Sequence, residues 1–73
     1  MVTATIHMKS GKIVNVTELE RINLFNAGTH ATYEASDASS MPLNKRNQYV
    51  FVGARTSVSV LGNEISCLEF TKG

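Results

Sequence analysis

The residue types best suited to acid–base chemistry lie between His30 and Glu34. An imidazole, a hydroxyl and a carboxylate alternate there as His30, Thr32 and Glu34. Alternate residues of a β-strand point to the same side, so these side chains would share one face and could serve general acid–base catalysis. Nothing in the sequence identifies a nucleophile beside them, so we favour the interpretation that they form the solvent-exposed face of an edge strand. We therefore predict no catalytic residue and no enzymatic activity.

Soft metal ligands are sparse in this sequence. They are His7, His30 and Cys67, and no two of them form the short spaced pair that is typical of a zinc site. The sequence therefore predicts no metal and no cofactor. Cys67 is predicted to lie inward as a small buried hydrophobic residue.

A third kind of chemistry is offered by the run 45–51, which mixes charge, amides and aromatic rings. Such a mixture can grip phosphates and stack bases, and two lysines beside the first turn could extend the patch. The predicted binding residues are Lys9, Lys12, Lys45, Arg46, Asn47 and Tyr49. Seven Lys and Arg residues against six Asp and Glu residues give a net charge of +1, which disfavours a general nucleic-acid binder.

The length and composition of the chain limit the kind of fold that can position these residues. The 73 residues form one small domain with a thin stability margin, so self-association is expected. Cys67 is the only cysteine, which excludes an intrachain disulfide. Together with the lack of a secretory signal, the lone cysteine predicts a cytoplasmic protein. No apolar run approaches the ~20 residues that span a bilayer, so no membrane partner is expected.

The first two elements are predicted to be a β-hairpin. The alternation of Val2–Met8 indicates a half-buried strand, and a second strand begins at Ile13. A three-residue loop with Gly11 in the left-handed conformation sets Ile6 opposite Val14. That register keeps the apolar residues on one face, so we predict a hairpin with a glycine bulge.

A short helix is predicted from about 18 to 26. Thr17 and Glu20 fit a capping box at its start. The apolar face of this helix would contain Leu19, Ile22 and Phe25. The competing interpretation is a continued strand, with Ile22 and Leu24 on one side.

One long polar stretch separates the next two predicted strands. Residues 29–35 alternate weakly and could be a third strand or an extended connection. Residues 36–47 are polar and contain the only proline, which predicts a mobile surface loop. Lys45 and Arg46 make this loop the expected variable contact surface. The following segment, Tyr49–Val52, is apolar on both faces, as in a covered strand.

The C-terminal segment 56–70 is predicted to be a second hairpin, closed by a two-residue turn at Gly62 and Asn63. Its inner face would contain Val58, Val60, Ile65 and Cys67. Leu68 and Phe70 would then lie on the other face without a cover. We therefore predict that these two residues form an oligomer interface, most simply that of a dimer.

The segment Val60–Ile65 resembles the second signature of the Sm-like RNA-binding proteins, a strand, a Gly-Asn turn and another strand. That resemblance would imply a small β-barrel that binds RNA. The family's basic residue before the glycine is Leu61 here, its N-terminal helix is missing, and no Asp-x-x-Met-Asn pattern follows the first hairpin. These departures remove the residues that would bind RNA, and the chain is not assigned to the family.

Together these features predict an α+β, mostly β domain over residues 1–73, with an antiparallel sheet of about five strands and one short helix. The predicted order is β-β-α-(β)-β-β-β. For function, they favour a non-enzymatic module that forms a dimer and docks on a protein partner. By analogy of size and composition, a bacteriophage or mobile-element accessory or inhibitor protein fits this description. The alternative is a small β domain, of the Sm-like barrel type, that binds nucleic acid or nucleotides.

Overall fold

The structure, a computed structural model, describes residues 1–73 and contains seven β-strands. They are β1 (Val2–Met8), β2 (Ile13–Val16), β3 (Leu19–Asn26), β4 (Thr29–Glu34), β5 (Gln48–Gly53), β6 (Ser57–Leu61) and β7 (Ile65–Lys72). Two short 3₁₀ segments, Ala35–Ser40 and Gly62–Glu64, follow β4 and β6. A mostly β domain with antiparallel pairing is thereby confirmed, although it has more strands than the sequence predicted.

The strands form two antiparallel sheets that share one hydrophobic core. The first sheet has the order β2-β1-β7, and the second has the order β4-β3-β5-β6. Glu18, with a left-handed φ of 52°, forms the kink that carries the chain from β2 in one sheet to β3 in the other. The buried core residues are Ala4, Ile6, Val16, Leu19, Ile22, Leu24, Ala38, Met41, Tyr49, Phe51, Val60 and Ile65. No helix of the fold has the length and apolar character needed to cross a membrane.

The first hairpin forms as predicted. Ile6 lies opposite Val14 and Ala4 opposite Val16, which is the register that a three-residue loop produces. Gly11 has a φ of 95°, a conformation that favours glycine. The local turn chemistry was therefore sufficient to predict both the pairing and the buried face.

The helix predicted at 18–26 is wrong, because this segment is strand β3. Leu19 pairs with Gly53 and Arg21 pairs with Val52, so Glu20 is an extra residue in a β-bulge. The bulge turns both Leu19 and Ile22 towards the core although they are three residues apart. Residues three apart also lie on one face of a helix, and for this reason the spacing of Leu19 and Ile22 was interpreted as helical.

The hairpin predicted around Gly62 is also wrong. Strand β6 pairs with β5, whereas β7 pairs with β1 in the other sheet. The 3₁₀ turn Gly62–Glu64 makes the crossing between the sheets. A Cβ on Gly62 would lie 2.1 Å from the carbonyl oxygen of Asn44, and the Gly62 N–H donates to the carbonyl of Asn47. This turn is therefore fixed by a segment that is distant in sequence.

A second bulge sets the faces of β7. Met8 pairs with Ile65 and His7 pairs with Cys67, so Ser66 is the extra residue. Ile65 is buried as predicted. After the bulge, each side chain points to the face opposite to the one predicted. Cys67 is exposed rather than inward, and Leu68 lies on the core side with the buried Ile6 opposite it.

The region between β4 and β5 is more structured than a polar loop. Its first part is the 3₁₀ segment Ala35–Ser40, which packs beside β3 and β4. Ala38 and Met41 enter the core from this region, and Asn47 is buried at its end. The weakly alternating segment before it is strand β4, as one of the two interpretations predicted.

Candidate functional site

An apolar groove runs between the segment 38–43 and strand β7. Its volume is about 450 Å³, and six of the eight residues that line it are hydrophobic. The lining residues are Ala38, Ser39, Met41, Leu43, Ser66, Cys67, Leu68 and Phe70. None of these side chains carries a charge. We call this feature the β7 groove.

The outer edge of β7 lies beside the groove and has no strand partner. β7 pairs with β1 on one side only and is the end strand of its sheet. In an antiparallel strand, about half of the backbone N–H and C=O groups point away from the partner, so this edge offers unpaired donors and acceptors. β7 has eight residues, whereas the other edge strand of its sheet, β2, has four. An extended chain would find a long pairing edge here.

Leu68 and Phe70, the predicted oligomer interface, both line this groove. They pair with the buried residues Ile6 and Ala4 and so lie on the inner face of the first sheet. Both are partly buried and pack against the core. The 38–43 segment, with Met41 buried and Leu43 46% exposed, supplies part of the cover that the sequence required.

The buried hydroxyl of Tyr49 holds the end of the groove segment in place. It donates to the carbonyl of Pro42 at 2.8 Å and accepts from the backbone N–H of Asn44 at 2.8 Å and from the side-chain amide of Asn47 at 3.1 Å. Tyr49 is fully buried and Asn47 is 5% exposed. These two predicted binding residues are therefore structural, and they lie outside any surface patch.

The basic residues that the sequence singled out lie at one end of the domain. Lys45 and Arg46 form the exposed tip of a tight turn, closed by a 3.0 Å hydrogen bond from the Asn47 N–H to the Asn44 carbonyl. Lys9, in the β1–β2 turn, donates its backbone N–H to the carbonyl of Glu64 at 2.8 Å.

The 3₁₀ turn Gly62–Glu64 connects these two basic turns. The carbonyl of Glu64 accepts a hydrogen bond from the backbone N–H of Lys9, and the backbone N–H of Gly62 donates to the carbonyl of Asn47 at 2.7 Å. The β1–β2 turn and the 44–47 turn therefore flank the same short segment. We call the four exposed cations that they carry, Lys9, Lys12, Lys45 and Arg46, the basic end.

The acid–base candidates do not form one constellation. His30, Thr32 and Glu34 are all exposed on one face of β4, as expected for a strand. His30 and Glu34 are four residues apart, which separates them by about 13 Å along the strand. His30 instead stacks on Phe25 with a ring-centroid distance of 4.8 Å, and the Thr32 hydroxyl donates to Asn23 at 3.1 Å.

One contact on the outer face of the first sheet was not predicted from the sequence. His7 Nε2 is hydrogen-bonded to Glu69 Oε1, and Cys67 lies opposite His7 on the neighbouring strand. The Ser66 bulge turns Cys67 and Glu69 to this face, and only a bulge-corrected register could have found them. No group of three or more His, Cys, Asp or Glu side chains is placed to hold a metal ion.

Comparison with known proteins finds no matching family model, no matching curated protein and no matching solved structure. The segment Val60–Ile65, which resembles an Sm-like signature, consists of the end of β6, the 3₁₀ turn and the first residue of β7. The β7 groove is apolar and uncharged, whereas the basic end carries four exposed cations.

Proposed function

We propose that the protein is a non-enzymatic binding module that docks on a partner protein by accepting an extended, uncharged apolar segment in the β7 groove. The observation that carries this proposal is the apolar groove lying directly beside the unpaired edge of an eight-residue strand. A groove of about 450 Å³ is within the size range of binding pockets in proteins.

The chemistry of the groove defines its occupant. Because no lining side chain is charged, a charged residue entering the groove would lose its hydration without gaining a partner. An extended segment would pair its backbone with the edge of β7. Every second side chain would then enter the groove beside Leu68 and Phe70. The favoured ligand therefore has apolar residues at alternate positions.

This mode of action suits a very small protein. A domain of 73 residues can occupy a partner's surface with one edge and one groove, without any catalytic group. Such action is what we expect of a bacteriophage or mobile-element accessory or inhibitor protein. A second copy of this chain is the other candidate occupant, which would make the same edge a dimer interface.

The test is a selection of short random peptides displayed on phage against the wild-type protein, followed by measurement of affinity by fluorescence polarisation. Leu43 and Ile13 provide a matched pair of variants, because both are exposed aliphatic side chains but only Leu43 lines the groove. Leu43→Asp is expected to weaken the selected peptides by about tenfold or more, since it places a charge in the apolar groove. Ile13→Asp is expected to leave the affinity unchanged.

The proposal fails if no peptide is selected, or if the two variants weaken binding equally. Sedimentation equilibrium of the same variants separates the two occupants. A dimer that Leu43→Asp dissociates and that excludes the peptides would identify a second copy of this chain as the occupant of the groove.

A further inference from the structure

We propose that the basic end is a second, independent binding site that takes single-stranded nucleic acid. Its four cations would contact phosphates, and the exposed Phe25–His30 stack would receive a base. This site lies outside the β7 groove and does not depend on the function proposed there.

Charge is segregated along the second sheet. Glu64 is the one carboxylate within the segments that form the basic end, and its side chain accepts a hydrogen bond from the Leu61 N–H at 3.3 Å. Four other carboxylates lie around the opposite end, where β3 begins and β4 ends; these are Glu18, Glu20, Glu34 and Asp37. Only two cations, Arg21 and Arg55, accompany them. The net charge of +1 therefore conceals a polarised surface.

The distance between these ends matters because salt screens charge. Along β3, Leu19 and Phe25 are about 20 Å apart at the rise of an extended strand. The Debye length at physiological salt is only about 8 Å. A phosphate backbone at the basic end would therefore experience its four cations with little effect from the distant carboxylates.

An aromatic platform lies beside these cations. Phe25 and His30 stack with their ring planes only 12° apart, and Phe25 is 40% exposed. Phe25 is the register partner of Gln48, and Gln48 follows the Arg46 turn by two residues. The platform and the cationic turn are thus on adjacent strands at the same end of the sheet.

The combination favours nucleic acid over an acidic peptide. Both ligands would satisfy the four cations, but every nucleotide of a nucleic acid carries a planar base that can stack on an exposed aromatic face, whereas the Asp and Glu side chains of an acidic peptide carry no ring. A single strand fits better than a duplex because its bases are free to stack. This platform was not predicted from the sequence, because the helix predicted at 18–26 placed Phe25 on its apolar, buried face.

The test is fluorescence polarisation of a labelled oligothymidylate across a range of salt concentrations, on the full chain. If all four cations contact phosphates, log K should fall with log salt with a slope of about −2.8 for a single strand. The double variant Lys45→Ala/Arg46→Ala should halve that slope to about −1.4. Phe25→Ser should weaken binding about tenfold and leave the slope unchanged, because it removes stacking and no charge.

The matched control is Arg55→Ala/Lys72→Ala, which removes two exposed cations outside the basic end and should change neither affinity nor slope. The proposal is overturned if this control weakens binding as much as Lys45→Ala/Arg46→Ala. It is also overturned if polyglutamate competes as well as the oligonucleotide and Phe25→Ser has no effect. That result would identify the ligand as an acidic peptide.

Discussion

The groove and the basic end each include one half of the same loop, and they differ in charge and in exposure. The first half, 38–43, is uncharged and lines the groove together with β7. The second half, 44–47, presents two cations at the tip of a turn and contacts the 62–64 segment. The Tyr49 hydroxyl lies between them and bonds to Pro42 in one half and to Asn44 and Asn47 in the other. A small domain can thus give one loop two surfaces by anchoring its middle in the core.

The largest expected effect is on stability, and it comes from changing the 62–64 segment that contacts the 44–47 half of the loop. Gly62→Ala would place a Cβ 2.1 Å from the Asn44 carbonyl oxygen, a backbone atom that cannot rotate away. We expect a loss of about 3 kcal/mol in unfolding free energy, measured by chemical denaturation. Gly73→Ala is the control, since nothing lies within 4 Å of the added Cβ there and Gly73 does not have a left-handed φ. A loss no greater than the control's would contradict the close packing of the two segments.

The next effect should reach both halves at once. Tyr49→Phe removes three hydrogen bonds from the loop and leaves buried polar groups unpaired, which should cost about 1–3 kcal/mol of stability. Peptide and oligonucleotide affinities should fall together. Tyr33→Phe is the control, because the partly buried Tyr33 makes no side-chain hydrogen bond within the chain. If only one of the two affinities fell, the two halves would not share this anchor.

Changes confined to one half of the loop should affect the binding of one ligand and not of the other. Leu43→Asn is expected to weaken peptide binding about tenfold, because it places an unpaired polar group in the apolar groove. It adds no charge near Lys45 and should leave the salt slope of oligonucleotide binding unchanged. Lys45→Ala/Arg46→Ala should do the reverse, because these side chains lie outside the groove. Measuring both ligands on both variants checks the separation. A crossed effect in either direction would show that the two surfaces are one site.

The smallest effect concerns the groove margin. Cys67→Ser should change stability by less than about 0.5 kcal/mol, because the side chain is exposed. The wild-type thiol should also react with an aromatic disulfide reagent in the native protein as fast as it does in denaturant. Protection of the thiol in the native state would mean that the Ser66 bulge does not turn Cys67 outward.

The sequence predicted the parts of the fold that depend on local chemistry. The first hairpin follows from the alternation of Val2–Met8 and the glycine at position 11, and its register is confirmed. Strands β3 and β7 were misread because a single extra residue, Glu20 or Ser66, inverts the facing of everything after it. A bulge leaves no clear mark in composition, so no local pattern could have revealed either one.

The candidate surfaces were predictable in the same partial way. Leu68 and Phe70 were identified because uncovered apolar residues require a partner, but their cover by residues 38–43 depends on tertiary packing. Lys45 and Arg46 were identified by charge, and the contact through 62–64 that brings them near Lys9 is tertiary. Tyr49 was misassigned, since an aromatic side chain with a polar tip suits a buried anchor as well as a ligand.

In the proposed mode of binding, an extended segment pairs with the free edge of β7. The most direct measurement is residue-resolved amide hydrogen exchange, by NMR, with and without a peptide selected on the wild-type protein. We expect slowed exchange at alternate amides between Ser66 and Phe70, and unchanged exchange along the other exposed edges, β2, β4 and β6. Unchanged exchange in β7 with a bound peptide, or protection along β4 or β6 instead, would contradict this mode of binding.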